Sequence, residues 1–117
     1  MYVYRRDSDA PESEVSTEFK YWRKNNALHH WMYQLWCKKQ GGDMDLDEFN
    51  CRAMELTIDD IIQLMSDIKR NKLVPTAGFF WGELEYPDWR KEEDWNFCFN
   101  ALDELRSGAR LIYCANW

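Results

Sequence analysis

The spacing of apolar positions changes several times along the chain, and each change predicts an element. Residues 1–6, MYVYRR, mix apolar and β-prone side chains in the alternation of a short strand. Residues 7–18, DSDAPESEVSTE, are polar and acidic around one proline and predict a flexible connector. Within EFKYWRKNNALHHWMYQLWCKK, Leu28, Trp31, Met32, Leu35 and Trp36 recur at i, i+3, i+4, i+7 and i+8, the stripe of one helix face. Extended backwards, the stripe passes through Asn25 to Tyr21, so the helix is predicted to begin at a cap on Ser16 or Thr17. Lys38 and Lys39 suit its negative end, and Gly41-Gly42 stops it.

Further on, DMDLDEFN predicts an acidic loop and CRAMEL (51–56) a weak strand. Thr57 with Asp60 has the form of a capping box. Ile58, Ile61, Ile62, Met65 and Ile68 then mark the buried stripe of a second helix, ending near Arg70-Asn71. Residues 73–87 are irregular. A third helix is expected from about Asp88 to Ser107, with Trp95, Cys98, Leu102 and Leu105 on one face and Gly108 as its stop. ARLIYCANW (109–117) is the clearest strand, expected to pair with 51–56, with residues 1–6 joining at an edge. The pattern predicts an α+β class: three helices packed with a two- or three-stranded antiparallel sheet, in a single domain over residues 1–117.

Composition sharpens this picture. The chain has 117 residues, 45% of them hydrophobic, including 7 Trp, 6 Tyr and 6 Phe. That aromatic weight opposes general disorder even though mean hydropathy is −0.71. Net charge is −6. An acidic balance disfavours direct nucleic-acid binding and suits a partner with a basic surface. No stretch has the roughly 20 apolar residues of a membrane span, and the acidic turn after MYVYRR does not fit a secretory signal; a cytoplasmic protein is expected. The 4 cysteines lie far apart and read as small buried thiols rather than a disulfide framework.

Chemistry-bearing motifs are sparse. His29-His30 could suggest a metal, but adjacent helical residues diverge and no further ligands accompany them, so neither metal nor cofactor is expected. DMDLDE opens like a calcium loop, yet Glu48 and Met54 stand where glycine and glutamate are needed. Cys37 lies two turns beyond His30 but lacks a third member to orient a base. No phosphate-cradling glycine motif is present, and an enzyme is not expected. YWRKNN is richer: Arg23 can fork onto an anion and Tyr21 or Trp22 can stack, although the same residues would anchor a helix start. Asn25 falls on the apolar stripe, so its amide must find partners; the backbone of PTAGFFWG is the expected one. In LVPTAGFFWGELEYPD, Phe79 and Trp81 would face one way and Phe80 the other, either sealed against a helix or presented as an interaction platform.

YWRKNNALHHW, LVPTAGFFWGELEY followed by DW, and the closing IYCANW resemble the signature blocks of a family of small uncharacterised proteins carried by bacteriophages and prophages. The resemblance spans roughly residues 19–117 and includes Tyr21, Trp22, Arg23, Lys24, Asn26, His29, Trp31, Pro75, Thr76, Gly78, Phe79, Phe80, Gly82, Glu85, Tyr86 and Trp117. Asn25 stands where the family usually has alanine and Trp81 where it has phenylalanine. The resemblance implies a phage setting and a shared fold, and no reaction. Joined to the acidic charge, the sparse chemistry and the surplus aromatics, it leads to the expectation of a non-enzymatic accessory protein in the host cytoplasm that binds and modulates or inhibits a host protein, a defence or nucleic-acid-handling factor. The expected contact set is Trp22, Arg23, Lys24, Asn26, His29, Phe80, Trp81, Glu85, Tyr86 and Trp89, with the acidic residues Asp43, Asp45, Asp47 and Glu48. The alternatives are a module for a nucleotide or other small anion, held by Arg23, Lys24, His29 and Trp22, and a homodimer paired through the aromatic face.

Overall fold

The computed structural model describes residues 1–7, 16–42, 44–74 and 85–115. Four strands, β1 (Tyr2–Arg6), β2 (Thr17–Tyr21), β3 (Met54–Leu56) and β4 (Arg110–Cys114), form one antiparallel sheet in the order β2–β1–β4–β3. Three helices, α1 (Asn26–Gln40), α3 (Ile58–Lys69) and α4 (Asp88–Arg106), pack with it, and a single helical turn, α2 (Leu46–Phe49), leans on α1. The fold is α+β as predicted, with one strand more than expected.

That extra strand comes from the residues read as the first turns of a helix. Thr17–Tyr21 pairs with β1, Tyr2 opposite Tyr21 and Arg5 opposite Thr17, with an irregularity after Val3. Local spacing fitted a helix, but the free edge of β1 offers ladder hydrogen bonds that a solitary polar helical turn could not match. The chain then reverses through Lys24 at φ 54, a left-handed conformation that ends any helix there. Asn25, not Ser16 or Thr17, caps α1 by accepting from the Leu28 amide. The connector is correspondingly shorter, because Thr17 and Glu18 lie in β2; residues 8–15 lie outside the described residues.

β1 is an inner strand rather than an edge, lying between β2 and β4. Val3 faces Tyr113, which also faces Met54, and Leu111 faces Leu56. These side chains bury one sheet face against Leu28, Met32 and Trp36 of α1, Ile61, Leu64 and Ile68 of α3, and Phe97, Ala101 and Leu102 of α4. The opposite face carries Tyr2, Tyr4, Arg6, Arg110, Ile112 and Cys114, all half-buried. Tyr2 stacks on Tyr4 at 5.7 Å between ring centres.

The capping box at Thr57 forms as predicted: Asp60 N–H donates to Thr57 Oγ1 at 3.1 Å and Thr57 N–H to Asp60 Oδ2 at 2.9 Å. Lys39 also reaches Asp60, at 2.7 Å, tying the end of α1 to the start of α3. The stripe below it is rotated. Leu64 is buried with Ile61 and Ile68, whereas Ile58 and Ile62 stand exposed. Five apolar positions are more than one face can bury, and Ile58 at the helix start and Ile62 beside Ile61 yield to the 61–64–68 line. α1 ends as expected, with Gly41 at φ 88.

Candidate functional site

A buried carboxylate organises the junction between the helices and the sheet. Asp94 lies on the inner face of α4, in register with Phe97, Cys98 and Ala101, and is fully buried. Trp22 donates its indole N–H to Asp94 Oδ1 at 2.9 Å. The Asn25 amide donates to both carboxylate oxygens at 3.0 Å. Tyr86 donates its hydroxyl to Oδ2 at 2.6 Å. One acid thus gathers the turn between β2 and α1, the helix α4 and the approach to that helix. Trp22 completes the join by setting its ring edge-on to Phe97, 4.7 Å between centres.

Electrostatics follow from that enclosure. Burial pushes the Asp94 carboxyl up to about 6, against the downward pull of its donors from Tyr86, Asn25 and Trp22. Burial, with the Asp94 charge added, raises Tyr86 above the usual phenol range. The Cys98 thiol, one turn beyond, is pushed up to about 12 by the same two influences, which leaves it unreactive at neutral pH.

A second polar pair lies further along α1. His29 is fully buried, its Nδ1 hydrogen-bonded to the Tyr113 hydroxyl at 2.5 Å and its ring stacked on Phe49 at 5.3 Å. Burial drives its pKa down to about 3, so the imidazole is neutral under ordinary conditions. Phe49 also touches Tyr33, Trp36 and Tyr113, and so plugs α2 into the core.

These contacts redistribute the predicted contact set. Trp22, Asn26 and His29 are buried and cannot meet a partner; they belong to the core. Trp22 is also not on the helix predicted for it but in the turn between β2 and α1. The Asn25 amide meets the Asp94 carboxylate; the backbone of PTAGFFWG, expected as its partner, lies outside the described residues. Tyr86 is half-buried at Asp94, while Arg23, Lys24, Asp45, Glu48 and Glu85 are exposed. Asp47 lies in α2. Asp43, Phe80 and Trp81 lie outside the described residues, as does the rest of 75–84.

Among the described residues of the predicted set, Trp89 is the exposed ring. It is 55% exposed in the first turn of α4. The Arg90 guanidinium lies 4.5 Å from its ring centre. Arg90 is itself fixed, donating to the Arg23 carbonyl at 2.9 Å and lying 3.8 Å from Glu93. The contact brings the Arg23-Lys24 turn beside Trp89. Glu85, Asp88 and Glu92 are exposed nearby in sequence, so the ring has acidic as well as basic neighbours along the chain.

Sequence reasoning missed Asp94, Phe49 and Tyr113. Asp94 had a signal: it falls four residues before Cys98 and eight before Leu102, on the stripe predicted for the third helix. Phe49 was hidden in an acidic run, where charge dominated the reading. Elsewhere, a groove of about 1060 Å³ runs between α1 and α3, bordered by Trp31, Lys38, Asp60 and Asp67; its described lining contains none of the predicted residues. Among the described residues no group of three or more His, Cys, Asp or Glu converges to hold a metal ion, and no helix is long and apolar enough to cross a membrane. Comparison with protein-family models, with curated proteins and with solved structures finds no match to this chain.

Proposed function

We propose that this chain is a non-catalytic phage accessory protein that binds a basic surface of a host protein and alters its activity. The observation that carries this reading is Trp89, a large ring held outward on a rigid helix start. Its rotamer is braced by Arg90, which is locked to the backbone at Arg23. A pre-positioned, exposed aromatic has the make-up of a binding hot spot, because little side-chain freedom is left to lose on docking. The net charge of −6 favours encounter with a basic partner. The groups with the greatest chemical potential, His29, Asp94 and Cys98, are all committed inside the core. The phage setting rests on the sequence blocks alone.

The test is affinity capture from host lysate with wild type and Trp89→Ala in parallel. A stoichiometric partner retained by wild type and held at least tenfold more weakly by the variant supports the reading. Equal capture by a folded Trp89→Ala protein, or no partner in several hosts, would overturn it.

A module for a nucleotide or small anion is the competing reading. Burial of Trp22 and His29 leaves it Arg23 and Lys24. Thermal-shift measurements against nucleotides separate the two: a hundredfold excess over the dissociation constant would add about 2.7 kcal/mol of stability.

A further inference from the structure

Two of the cysteines lie on adjoining chain segments at the end of the sheet. The turn that leaves α2 passes through Cys51, whose backbone is left-handed at φ 62. Its amide donates to the Ala115 carbonyl at 2.8 Å, which seats Cys51 against the residue following Cys114. Beyond this point β3 and β4 pair with Met54 opposite Tyr113, so the chain segments carrying the two thiols are held side by side. Cys114 lies on the outer sheet face, in register with Tyr2 and away from the core that encloses Tyr113. Cys51 is exposed and Cys114 half-buried, whereas Cys37 and Cys98 are buried in the helical layer. The proximity is also electrostatic: burial, and then the charge of Cys51, raise the Cys114 thiol above its ordinary value.

We propose that Cys51 and Cys114 form an oxidisable thiol pair that small-molecule disulfides convert to an intramolecular disulfide. The chemistry is balanced by two exchange steps. The accessible Cys51 thiolate attacks one sulfur of R–S–S–R, breaking that bond and releasing one R–S⁻. The Cys114 thiolate then attacks Cys51 Sγ in the mixed disulfide, forming the internal bond and releasing the second R–S⁻. Two electrons pass from the protein to the reagent, and the two thiol protons end on the released thiols. The product pins the turn between α2 and β3 to the end of β4, closing a long loop of the chain.

The experiment treats the folded full chain with oxidised glutathione and follows intact mass, peptide maps and Tm. The expected result is loss of two hydrogens, a Cys51–Cys114 cross-link, and a higher Tm than the reduced form. Cys114→Ser should stop at a glutathione adduct on Cys51, and Cys51→Ser should remain largely unmodified. Cys98, fully buried, should alkylate only after unfolding. A wild-type protein that stops at the Cys51 adduct, links only between molecules, fails to react, or forms the bridge without a rise in Tm would overturn the proposal.

Discussion

The Asn25 side chain and the Asp94 carboxylate are matched donor to acceptor: both carboxylate oxygens lie 3.0 Å from the Asn25 amide nitrogen. The Asn25 oxygen meanwhile accepts from the Leu28 amide, 3.3 Å away, and starts α1. Asparagine suits this place because it can cap with one end and donate with the other. Aspartate there would set two buried carboxylates against each other. Alanine at position 94 would leave the Trp22, Asn25 and Tyr86 donors without an acceptor in a dry site. Asp94→Ala should therefore cost about 3–5 kcal/mol, read from urea unfolding.

Trp22 separates hydrogen bonding from packing. Trp22→Phe deletes one donor while keeping most of the ring that meets Phe97, and should cost about 1–2 kcal/mol. Trp22→Ala also opens a cavity and should cost about 3–5 kcal/mol. Equal losses in thermal or urea unfolding would show that the indole N–H contributes little beyond its ring.

Opposed titrations should shape the acid behaviour. Asp94, raised from 3.8 to about 6, binds its proton more tightly in the fold than in the unfolded chain. It adds stability that is complete below pH 3.8 and fades as pH rises through about 6, roughly 3 kcal/mol for two pKa units. His29, lowered from 6.5 to about 3, works the other way: its contribution is complete above pH 6.5 and is lost progressively as pH falls toward 3. The two slopes oppose each other in the shared window. Relative to wild type, Asp94→Asn should lose stability more steeply on acidification, and His29→Phe less steeply. Urea midpoints across pH 4–7 check this; parallel profiles for all three proteins would contradict it.

Phe49 holds α2 by contacts to four rings, His29, Tyr33, Trp36 and Tyr113. Phe49→Ala should cost about 3–5 kcal/mol. Hydrogen exchange should then show residues 44–50 losing protection before the strands do.

The rotated stripe of α3 can be read from a pair of neighbours. Ile62→Gln, at a site 48% exposed, should change stability by less than about 0.5 kcal/mol. Ile61→Ala, at a fully buried site, should cost about 2–5 kcal/mol. A cost at Ile62 as large as that at Ile61 would restore the pattern expected from spacing alone.

That pattern shows where sequence was a good guide. Thr57 with Asp60, Gly41, Gly108 and the 110–114 strand could be read because each acts within a few residues, through capping, positive φ or β propensity. Residues 17–21 could not, because their state depends on pairing with β1, and no local pattern in 17–21 announces that pairing. Asn25 was recognised as a buried amide in need of partners, but the acid that satisfies it lies far along the chain. Trp22 and His29 looked like a recognition surface for a related reason: polar tips on aromatic rings serve equally in a buried network, and composition does not distinguish the two.

The strand order carries a consequence for synthesis. β1 leaves the ribosome first among the strands, yet one of its two flanking neighbours, β4, is the last to emerge. A β1–β2 ribbon can form early, but its inner edge must wait through the translation of all the helices. Nascent chains should thus expose Val3 and the free side of that ribbon for most of elongation, and acquire their final shape only after Tyr113 has been made.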